Sequence, residues 1–584
     1  MAGVFARLLE RRGTLLLLVP ALLLLAVFYV LPLGQIAALS IEGANLSPAH
    51  YGQLTRDDIV HTIFLRTIWI ALIVTVISLV LGYPLAVLIA SARPRLATLV
   101  LLLVVISMWT SILVRSYAWM VILGRQGIIN STLMALGLIE EPMALLYNRF
   151  SVIVGMVHIM LPFMILPIVN TLRQIPAALP QAALSLGARP LYSFVLVYLP
   201  LSLPGIAAGA TLVFILSMGF FVTPALLGGL TDTTFVLLIE RYVRAIRNWE
   251  MASAMSMLLL AVTLAIVLLA QYNPTRQSGE SRSSRPSAFT RLVVKVCMVI
   301  VESVTRHRPS AGEPALAHSG STGRGAPSGP GFWVTTAGGF GLFFLCAPLL
   351  IIIVLAFSDA PFLTFPPPGF SLRWFKNFLA RPDWTSAAWT SITVGLMTMV
   401  VATLAGGMAA VAIVRGDFPG RGLLLGFMVS PVVIPTMVLA IALYYVFAPL
   451  GLVGTRAGLV LAHSVLAIPF VVIVVSGALR STDITLERAA RTLGAPPLSA
   501  FMRVTLPAIR PAVLTGAFFA FLASFDELVI ALFIAGTGSR TLPKRMWEGI
   551  REEIDPTIAA VAAMLIGLTL ALILISEFVR GRLK

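Results

Sequence analysis

The 584-residue chain is 59% hydrophobic and only 11% charged, whereas an average soluble domain is about 45–50% apolar and about 25% charged. Many apolar runs exceed the roughly 20 residues that a helix needs to cross a bilayer, and they are longer than the ~10-residue strands of an outer-membrane barrel. The formal net charge of +17 is better explained by cationic loops on one side of a membrane than by a nucleic-acid partner, because no aromatic residues interleave with a basic patch. The composition therefore predicts an all-α polytopic membrane protein.

Apolar runs of helical length predict about twelve transmembrane helices, six on each side of a polar segment. The first six runs cover roughly residues 14–39, 62–90, 97–123, 151–171, 202–228 and 251–271. The second six cover roughly residues 333–357, 386–413, 422–447, 457–478, 511–535 and 556–577. Residues 272–331 between them are rich in Ser, Gly, Pro and Arg and cannot bury a core, and their apolar stretch Leu292–Val301 is too short to span. We therefore predict a first half over 1–271, a cytoplasmic linker over 272–331, and a second half over 332–584.

The basic residues set the predicted orientation of the chain in the membrane. The N-terminal apolar run is too long for the h-region of a signal peptide, so we interpret it as the first transmembrane helix with a cytoplasmic N-terminus. Twelve spans then place the linker and the C-terminus in the cytoplasm as well. In this arrangement several cationic residues near span ends fall inside, as the positive-inside rule requires: Arg7, Arg11, Arg12, Arg93, Arg95, Arg580, Arg582 and Lys584.

The two halves carry an internal repeat. Gly187 and Gly494 lie 307 residues apart, and the same offset aligns further pairs without a gap. These pairs include Pro162 with Pro469, Arg173 with Arg480, Ala182-Ala183 with Ala489-Ala490, Leu199-Pro200 with Leu506-Pro507, and Ser217 with Ser524. Repeats of the same sense, six spans apart, predict two parallel six-helix units related by a pseudo-two-fold axis along the membrane normal.

The repeat is clearest in two polar loops, at about residues 172–200 and 479–507. Each is longer than a plain connection. In both loops the pattern Ala-Ala-x-x-x-Gly predicts a short helix that ends at Gly, and the following Leu-Pro leads a second helix back to the bilayer. A compact helix presented twice at the membrane surface predicts a pair of docking elements for a two-fold partner.

The two loop sequences, LPQAALSLGARPLYSFVLVYLP and LERAARTLGAPPLSAFMRVTLP, resemble the cytoplasmic coupling loop of binding-protein-dependent ABC importer permeases. This resemblance implies a type I ABC importer permease fold in the inner membrane of a bacterium, with two copies of an ABC ATPase subunit docked on the loops. The residues to which it assigns ATPase coupling are Ala182, Ala183, Gly187, Pro200, Glu487, Ala489, Ala490, Gly494 and Pro507. The first loop departs from the pattern, with Pro180 and Gln181 where an acidic residue is expected. In the second, Arg488 takes the acidic position and Glu487 precedes it.

Other segments resemble one branch of that family, the permeases of polyamine (spermidine/putrescine) importers. MWTSILVRSYAWMVILGRQGIIN and FVTPALLGG resemble the first permease subunit, and SFDELVIALFIAG and TLPKRMWEGIREEIDPTIAAVAA resemble the second. The resemblance implies a fusion of two permeases that takes up small polyamine-like cations by alternating access. An external solute-binding protein would deliver the substrate.

The energy for transport is expected to come from another subunit. The chain has no G-x-x-x-x-G-K-[ST] motif, so we expect it to bind no cofactor itself and ATP to bind to the partner ATPase; it is not expected to be an enzyme. One alternative is a twelve-helix secondary transporter driven by an ion gradient. A second is an ABC permease for another small solute, such as ferric iron, thiamine, a phosphonate or an opine.

Two adjacent carboxylates interrupt the fifth apolar run of the second half. Asp526 and Glu527 occupy positions that Gly219 and Phe220 hold in the first half. An acidic group within a span costs ~2.5–3.5 kcal/mol on insertion scales and is expected to face a cavity or a partner. We therefore consider Asp526 and Glu527 as candidates for the substrate pathway, of which at most one faces it, because adjacent helical residues point about 100° apart. The alternatives are a structural pair with an arginine and a position near the membrane surface.

The third apolar run supplies a candidate gate, formed by Trp109, Arg115 and Tyr117. Arg115 is interpreted as a snorkelling anchor or a stabilising ion pair, with a role at the external gate as the alternative. The aromatic residues are interpreted as interfacial or gate-packing groups. His158 and His463 are not equivalent in the repeat, and we interpret each as a hydrogen-bonded packing residue. No metal-ligand spacing is found.

Overall fold

The computed structural model describes residues 15–41, 49–188, 190–271, 331–361, 365–552 and 556–582. Nearly all of the predicted linker, including Leu292–Val301, lies outside these residues, so the domain boundaries stay predictions. The described residues form helices and contain no β-strand; an isolated bridge pairs Ser358 with Phe370.

The helices of the first half are α1 (Val19–Ile41), α2 (Ala49–Leu54), α3 (Asp58–Ser91), α4 (Pro94–Trp109), α5 (Ile112–Leu123), α6 (Ile128–Ala135), α7 (Arg149–Leu172), α8 (Ala178–Ser185), α9 (Phe194–Met218), α10 (Val222–Leu227), α11 (Phe235–Arg241) and α12 (Trp249–Gln271). Local sequence explains several starts. The Asp57 carboxylate accepts the Ile59 N–H at 2.8 Å and caps α3, and Pro94 begins α4, where its missing N–H costs nothing.

The helices of the second half are α13 (Phe332–Ala356), α14 (Arg373–Ala380), α15 (Pro382–Arg415), α16 (Arg421–Val429), α17 (Thr436–Phe447), α18 (Arg456–Ser481), α19 (Ile484–Thr492), α20 (Pro497–Phe525), α21 (Val529–Ile534), α22 (Leu542–Glu552) and α23 (Thr557–Arg582). Among the described residues, nine helices are long and apolar enough to cross a membrane, or eleven if each of two bent pairs counts as one span. The fold is thus the predicted all-α polytopic one.

Two of the predicted spans are not single helices. The third run bends by 95° between α4 and α5, and the ninth bends by 91° between residues 421–432 and α17. At the first bend Thr110 and Ser111 have extended backbones. At the second, Pro435 has no N–H for the helical ladder and is itself extended. The fifth and eleventh runs, predicted to reach 228 and 535, end at Met218 and Phe525 and are each followed by a short helix.

The predicted repeat is present in the structure at the same offset of 307 residues. Helices α7 and α18 begin at equivalent residues, as do α10 and α21, and each half has a π-helical turn at equivalent positions, Phe194–Tyr198 and Phe501–Thr505. The equivalence extends through α11 and α22, further along the chain than the sequence matches. The two halves therefore share one architecture from α7 to α11.

The first helix of each half packs on the other half. Helix α13 lies on α3, and a Cβ on Gly338 would meet the Leu88 side chain at 3.0 Å, so the two helices are in close contact. On the other side, α1 reaches the second half, where the Tyr29 hydroxyl and Ser430 Oγ are 2.7 Å apart and Phe28 meets Phe447 edge-on. The exchange joins the halves into one helical body.

Candidate functional site

The two loop helices, α8 and α19, have the predicted form. Gly187 (φ +87°) and Gly494 (φ +92°) end them in the left-handed region that favours glycine. In each loop the N–H after this Gly bonds back to the second Ala of the pair: Ala188 to Ala183 at 3.0 Å and Ala495 to Ala490 at 3.1 Å. These bonds are those of a Schellman C-cap. The side of the protein that carries α8 and α19 is called the loop face below.

The loop helices expose leucines that the sequence analysis did not select. Leu186 is 89% and Leu493 88% exposed, at equivalent positions directly before the capping glycines. Leu179 and Leu486, one helix length earlier, are also equivalent and exposed. Each loop thus presents an apolar tip in a polar surface. A leucine before Gly at the same place in both repeats was the available signal.

Each loop helix is tied to the span that follows it. The Glu487 carboxylate accepts a hydrogen bond from Thr505 Oγ1 at 2.5 Å. In the first loop the carbonyl of Pro180, the residue equivalent to Glu487, accepts from Ser193 Oγ at 3.0 Å. Glu487 is half-buried, and its carboxylate already has a partner within the chain. Each loop helix is therefore hydrogen-bonded to the helical segment that follows it.

Pro200 and Pro507 directly follow the first residue after each π-helical turn. The N–H of Leu199 bonds to the carbonyl of Phe194 and that of Leu506 to Phe501, five residues back. The next residue is a proline with no N–H, so the helical ladder changes register here without a lost donor. The Leu-Pro pairs mark the wide turn through which each loop enters the membrane.

The bend between α4 and α5 brings the first half against Asp526 of the second. The N–H of Ile112 donates to Asp526 Oδ2 at 3.3 Å. Arg115 lies one turn further along α5. Arg115 is 1% exposed, which does not fit a snorkelling anchor, and its role in an ion pair or at the external gate stays a prediction. Its Nε and Nη1 have no hydrogen-bond partner within the described part of the chain.

The repeat explains why the first half lacks this carboxylate. Gly219, the equivalent of Asp526, ends α9 against Pro435 at the bend of the second half. A Cβ on Gly219 would lie 2.9 Å from Pro435 Cβ and 3.2 Å from its Cα. No side chain fits there without displacing the backbone. The end of each fifth span therefore meets the bend of the opposite half, through a glycine on one side and a carboxylate on the other.

Glu527 has a structural environment different from that of its neighbour. Its Oε1 and Oε2 accept the N–H groups of Ile530 and Ala531 at 2.9 and 3.0 Å, which caps the short helix α21. His463 Nε2 lies 3.6 Å from Oε2. Glu527 is 8% exposed, whereas Asp526 is half-buried. Of the two candidates for the pathway, Asp526 is the more exposed residue.

The histidines are buried and hydrogen-bonded, as interpreted from the sequence. His463 Nδ1 lies 2.8 Å from Ser524 Oγ, which in turn donates to Thr398 at 3.3 Å. His158 Nε2 lies 3.1 Å from the carbonyl of Leu345 in the second half. His463 is seven residues from the start of α18, about 10 Å at 1.5 Å per residue. Glu527, whose Oε2 is 3.6 Å from His463, is therefore next to the α18 residue about this far from the start of that helix.

The remaining gate candidates occupy two environments. Trp109 stacks on Phe519 of the second half, with ring centroids 4.6 Å apart and planes 21° apart, so it lies at the junction between the halves. Tyr117 is fully buried and does not lie at an interface with lipid. The neighbouring Ser116 Oγ is 2.9 Å from Thr223 Oγ1 of α10. Trp109 thus contacts the opposite half directly.

Comparison with known proteins assigns the class of protein. Residues 82–277 and 402–584 both match the family described as "Binding-protein-dependent transport system inner membrane component". The two matches cover more than half of the chain, so the chain belongs to this family of transport-system membrane components.

Its relatives include permeases of named systems. The spermidine/putrescine transport system permease protein PotB of Haemophilus influenzae is 34% identical over 267 residues, which are 44% of this chain and 88% of PotB. The putrescine transport system permease protein PotI of Escherichia coli is 35% identical over 234 residues, 39% of this chain and 83% of PotI. PotB of Escherichia coli is 33% identical over 220 residues, 38% of this chain and 80% of PotB.

Each relative is matched over most of its own length but over less than half of this chain, as expected for a fused pair of permeases. The chain is an ABC importer permease of the PotB/PotI type and a multi-pass membrane protein. Membership of this family argues against the alternative of a secondary transporter driven by an ion gradient. A solved bacterial ABC transporter involved in the import of the acidic polysaccharide alginate is similar at a TM-score of 0.33 and 18% identity, over 43% of this chain and 95% of that chain; so low a similarity says nothing about substrate.

Proposed function

We propose that this chain forms the whole membrane pathway of an ATP-driven importer for linear polyamines of the spermidine/putrescine class. Two ABC ATPase subunits dock on the loop face, and an external solute-binding protein delivers the substrate to the opposite face. ATP binds to the ATPase subunits. The observation that carries the proposal is the duplicated loop helix at an offset of 307 residues, in a chain whose relatives are named polyamine permeases.

The loop helices suit a two-fold partner. Each presents one almost fully exposed leucine, Leu186 or Leu493, beside a rigid glycine cap. An exposed leucine that enters an apolar groove gains about 1.5–3 kcal/mol. The Glu487 carboxylate accepts a hydrogen bond from Thr505, so docking of the second loop need not depend on its charge. We propose that apolar tips dominate at both loops.

The contacts described above suggest how docking drives transport. Movement of a loop helix passes through Thr505 or Ser193 into α20 or α9, whose far ends meet the bends of the opposite halves. The paired contacts Gly219–Pro435 and Asp526–Ile112 close the junction between the halves in this state. Closure of the ATPase dimer on ATP would separate them and open the pathway to the opposite face. The loop face, both termini and the linker are then cytoplasmic, as the basic residues predict.

Asp526 is the proposed pathway residue for the cation. It is half-buried at the junction of the halves, where its Oδ2 accepts the Ile112 N–H at 3.3 Å. When the junction opens, α5 moves away and the carboxylate loses this partner. An ammonium group of the substrate can then take its place.

The test is uptake of radiolabelled spermidine and putrescine by the chain in proteoliposomes, with and without the ATPase and the binding protein. Uptake that requires ATP and both partners supports the assignment. Asp526→Asn is expected to lower uptake at least 10-fold, while Glu527→Gln, which keeps an acceptor for the α21 cap, retains more of it. ATP-driven uptake of ferric iron, thiamine, a phosphonate or an opine instead would refute the substrate class, and uptake on an ion gradient alone would refute the mechanism.

A further inference from the structure

A second place with cation-binding chemistry lies on the face opposite the loops, apart from Asp526. A cavity of about 490 Å³ is lined by Arg244 of the first half and by six residues of the second: Leu532, Lys544, Trp547, Glu548, Arg551 and Glu552. Carboxylates, an indole ring and free carbonyl oxygens are the groups that bind ammonium ions. The cavity therefore has the composition of a cation site.

In the structure, positively charged side chains of the protein itself already contact the carbonyl and aromatic groups of this region. Arg244 Nη2 donates to the carbonyl of Leu532 at 2.9 Å, and its guanidinium lies 4.9 Å from the centre of the Phe533 ring. Lys544 Nζ donates to the carbonyl of Ala535. Both carbonyls belong to the C-terminal end of α21, where helical carbonyls have no partner within the helix and carry partial negative charge.

Glu548 and Arg551, two further charged residues of the lining, are also engaged. Glu548 pairs with Arg540, Nε to Oε2, at 3.3 Å, and Arg551 lies 5.7 Å from the centre of the Trp547 ring. Glu552 is exposed. The second half contributes two cations and two carboxylates to the lining, so the formal charges of its lining residues sum to zero: Lys544, Arg551, Glu548 and Glu552. The positive excess comes from Arg244.

Arg244 is the lining residue that can leave. It belongs to the first half, on the π-helical turn Tyr242–Ile246, and its side chain is 42% exposed. Within its own half it contacts Glu240, Nε to Oε1 at 3.6 Å. Separation of the halves would carry the guanidinium away from Leu532 and Phe533, because both lie in the other half. The carbonyl and the ring then become free for another cation.

We propose that this cavity is an outer subsite for one ammonium group of a linear polyamine, and that Arg244 is a tethered cation that fills it while the junction is closed. The ligand class rests on the proposed function. The incoming ammonium group takes the place of the guanidinium at the Leu532 carbonyl and the Phe533 ring, with Glu552 beside it. The substrate and Arg244 thus compete for one site.

Competition predicts a gain of affinity when the charge of Arg244 is removed. Spermidine binding is measured by titration calorimetry on the chain and its ATPase in nanodiscs, without binding protein. Arg244→Gln is expected to lower the dissociation constant about 10-fold, the effect of a like charge about 6 Å away at an effective dielectric constant of about 40. Arg244→Lys keeps the charge and is expected to match the wild type. Arg241→Gln removes an equal charge from α11 outside the cavity lining and is the control.

Glu552→Gln added to Arg244→Gln is expected to reverse the gain. Unchanged or weaker spermidine binding by Arg244→Gln, in a complex that still imports polyamine, overturns the subsite and leaves Arg244 a closing contact between the halves. Absence of ATP-driven polyamine uptake by the wild-type complex is a separate result: it overturns the proposed function and the ligand assigned to this cavity with it.

Discussion

The contact between Gly219 and Pro435 gives the sharpest test of the closed junction. Gly219→Ala adds one methyl group at the end of α9, where φ is −90° and an alanine backbone is unstrained. The added Cβ would lie 2.9 Å from Pro435 Cβ and 3.2 Å from Pro435 Cα. Neither atom is the tip of a flexible side chain, so the strain falls on the junction between the halves.

Overpacking by one methylene in a close-packed interior costs about 1–3 kcal/mol. Because the contact exists in the closed junction, the cost applies to this state and is relieved when the halves separate. A bias of this size shifts a two-state equilibrium by about 5- to 150-fold. If separation of the halves accompanies closure of the ATPase dimer, Gly219→Ala favours the state that hydrolyses ATP.

The assay is ATP hydrolysis by the reconstituted complex without binding protein or substrate. We expect Gly219→Ala to raise this basal rate at least 5-fold and to reduce its stimulation by the binding protein. Gly407→Ala is the matched control, because Gly407 lies within α15 and an added Cβ there meets nothing within 4 Å. Size-exclusion chromatography establishes that both variants remain assembled. Equal basal rates for the two variants would refute the assignment of Gly219–Pro435 as a closing contact.

Three further predictions concern the loop face. Leu493→Ser and Leu186→Ser are each expected to weaken ATPase association by about 1.5–3 kcal/mol, measured by co-purification over a range of ATPase concentrations; equal binding by both variants and the wild type would exclude the apolar tips as the docking groups. Gly494→Ala forces a Cβ into the left-handed region, at about 1–2 kcal/mol, and is expected to lower coupled uptake more than ATP hydrolysis. Thr505→Val removes the donor to Glu487 and is expected to uncouple hydrolysis from uptake while the ATPase stays bound, so loss of ATPase binding would contradict a transmitting role.

The loops and the repeat could be predicted because they depend on local rules. Ala-Ala-x-x-x-Gly specifies a helix and its cap within a few residues, and the cap bonds of Gly187 and Gly494 follow. The constant offset of 307 residues required only comparison of the chain with itself. Both signals are independent of what surrounds them.

The bend after Trp109 could not be predicted in the same way. Thr110 and Ser111 stand in an apolar run without Gly or Pro. The N–H of Ile112, which has no partner within α5, bonds to Asp526, 414 residues further along the chain. The corresponding bend of the second half contains Pro431 and Pro435. These prolines indicate a break in the helix, although hydropathy alone predicts one continuous span there. The first bend has a long-range partner in Asp526, and the local sequence pattern does not record such a partner.

The roles of the two carboxylates were likewise undecided by sequence. Glu527 reaches the amides of Ile530 and Ala531 only because the chain turns directly after Phe525 into α21. A continuous helix, as the apolar run suggested, would have placed it on a lateral face. The break gives the two residues different roles, because Asp526 is the more exposed and Glu527 caps α21. Hydropathy alone does not predict a break at this position.

The exchange of α1 and α13 between the halves bears on how the chain is made. Helix α3 is complete once residue 91 has been synthesised, but the helix that covers it ends at Ala356. At about 5–20 residues per second, the ribosome needs about 15–50 s to reach that point. During this interval the first half offers a vacant helix-sized groove to the lipid. Fusion ensures that the first matching helix to arrive comes from the same molecule, so the two halves assemble in equal numbers and without a search for a partner.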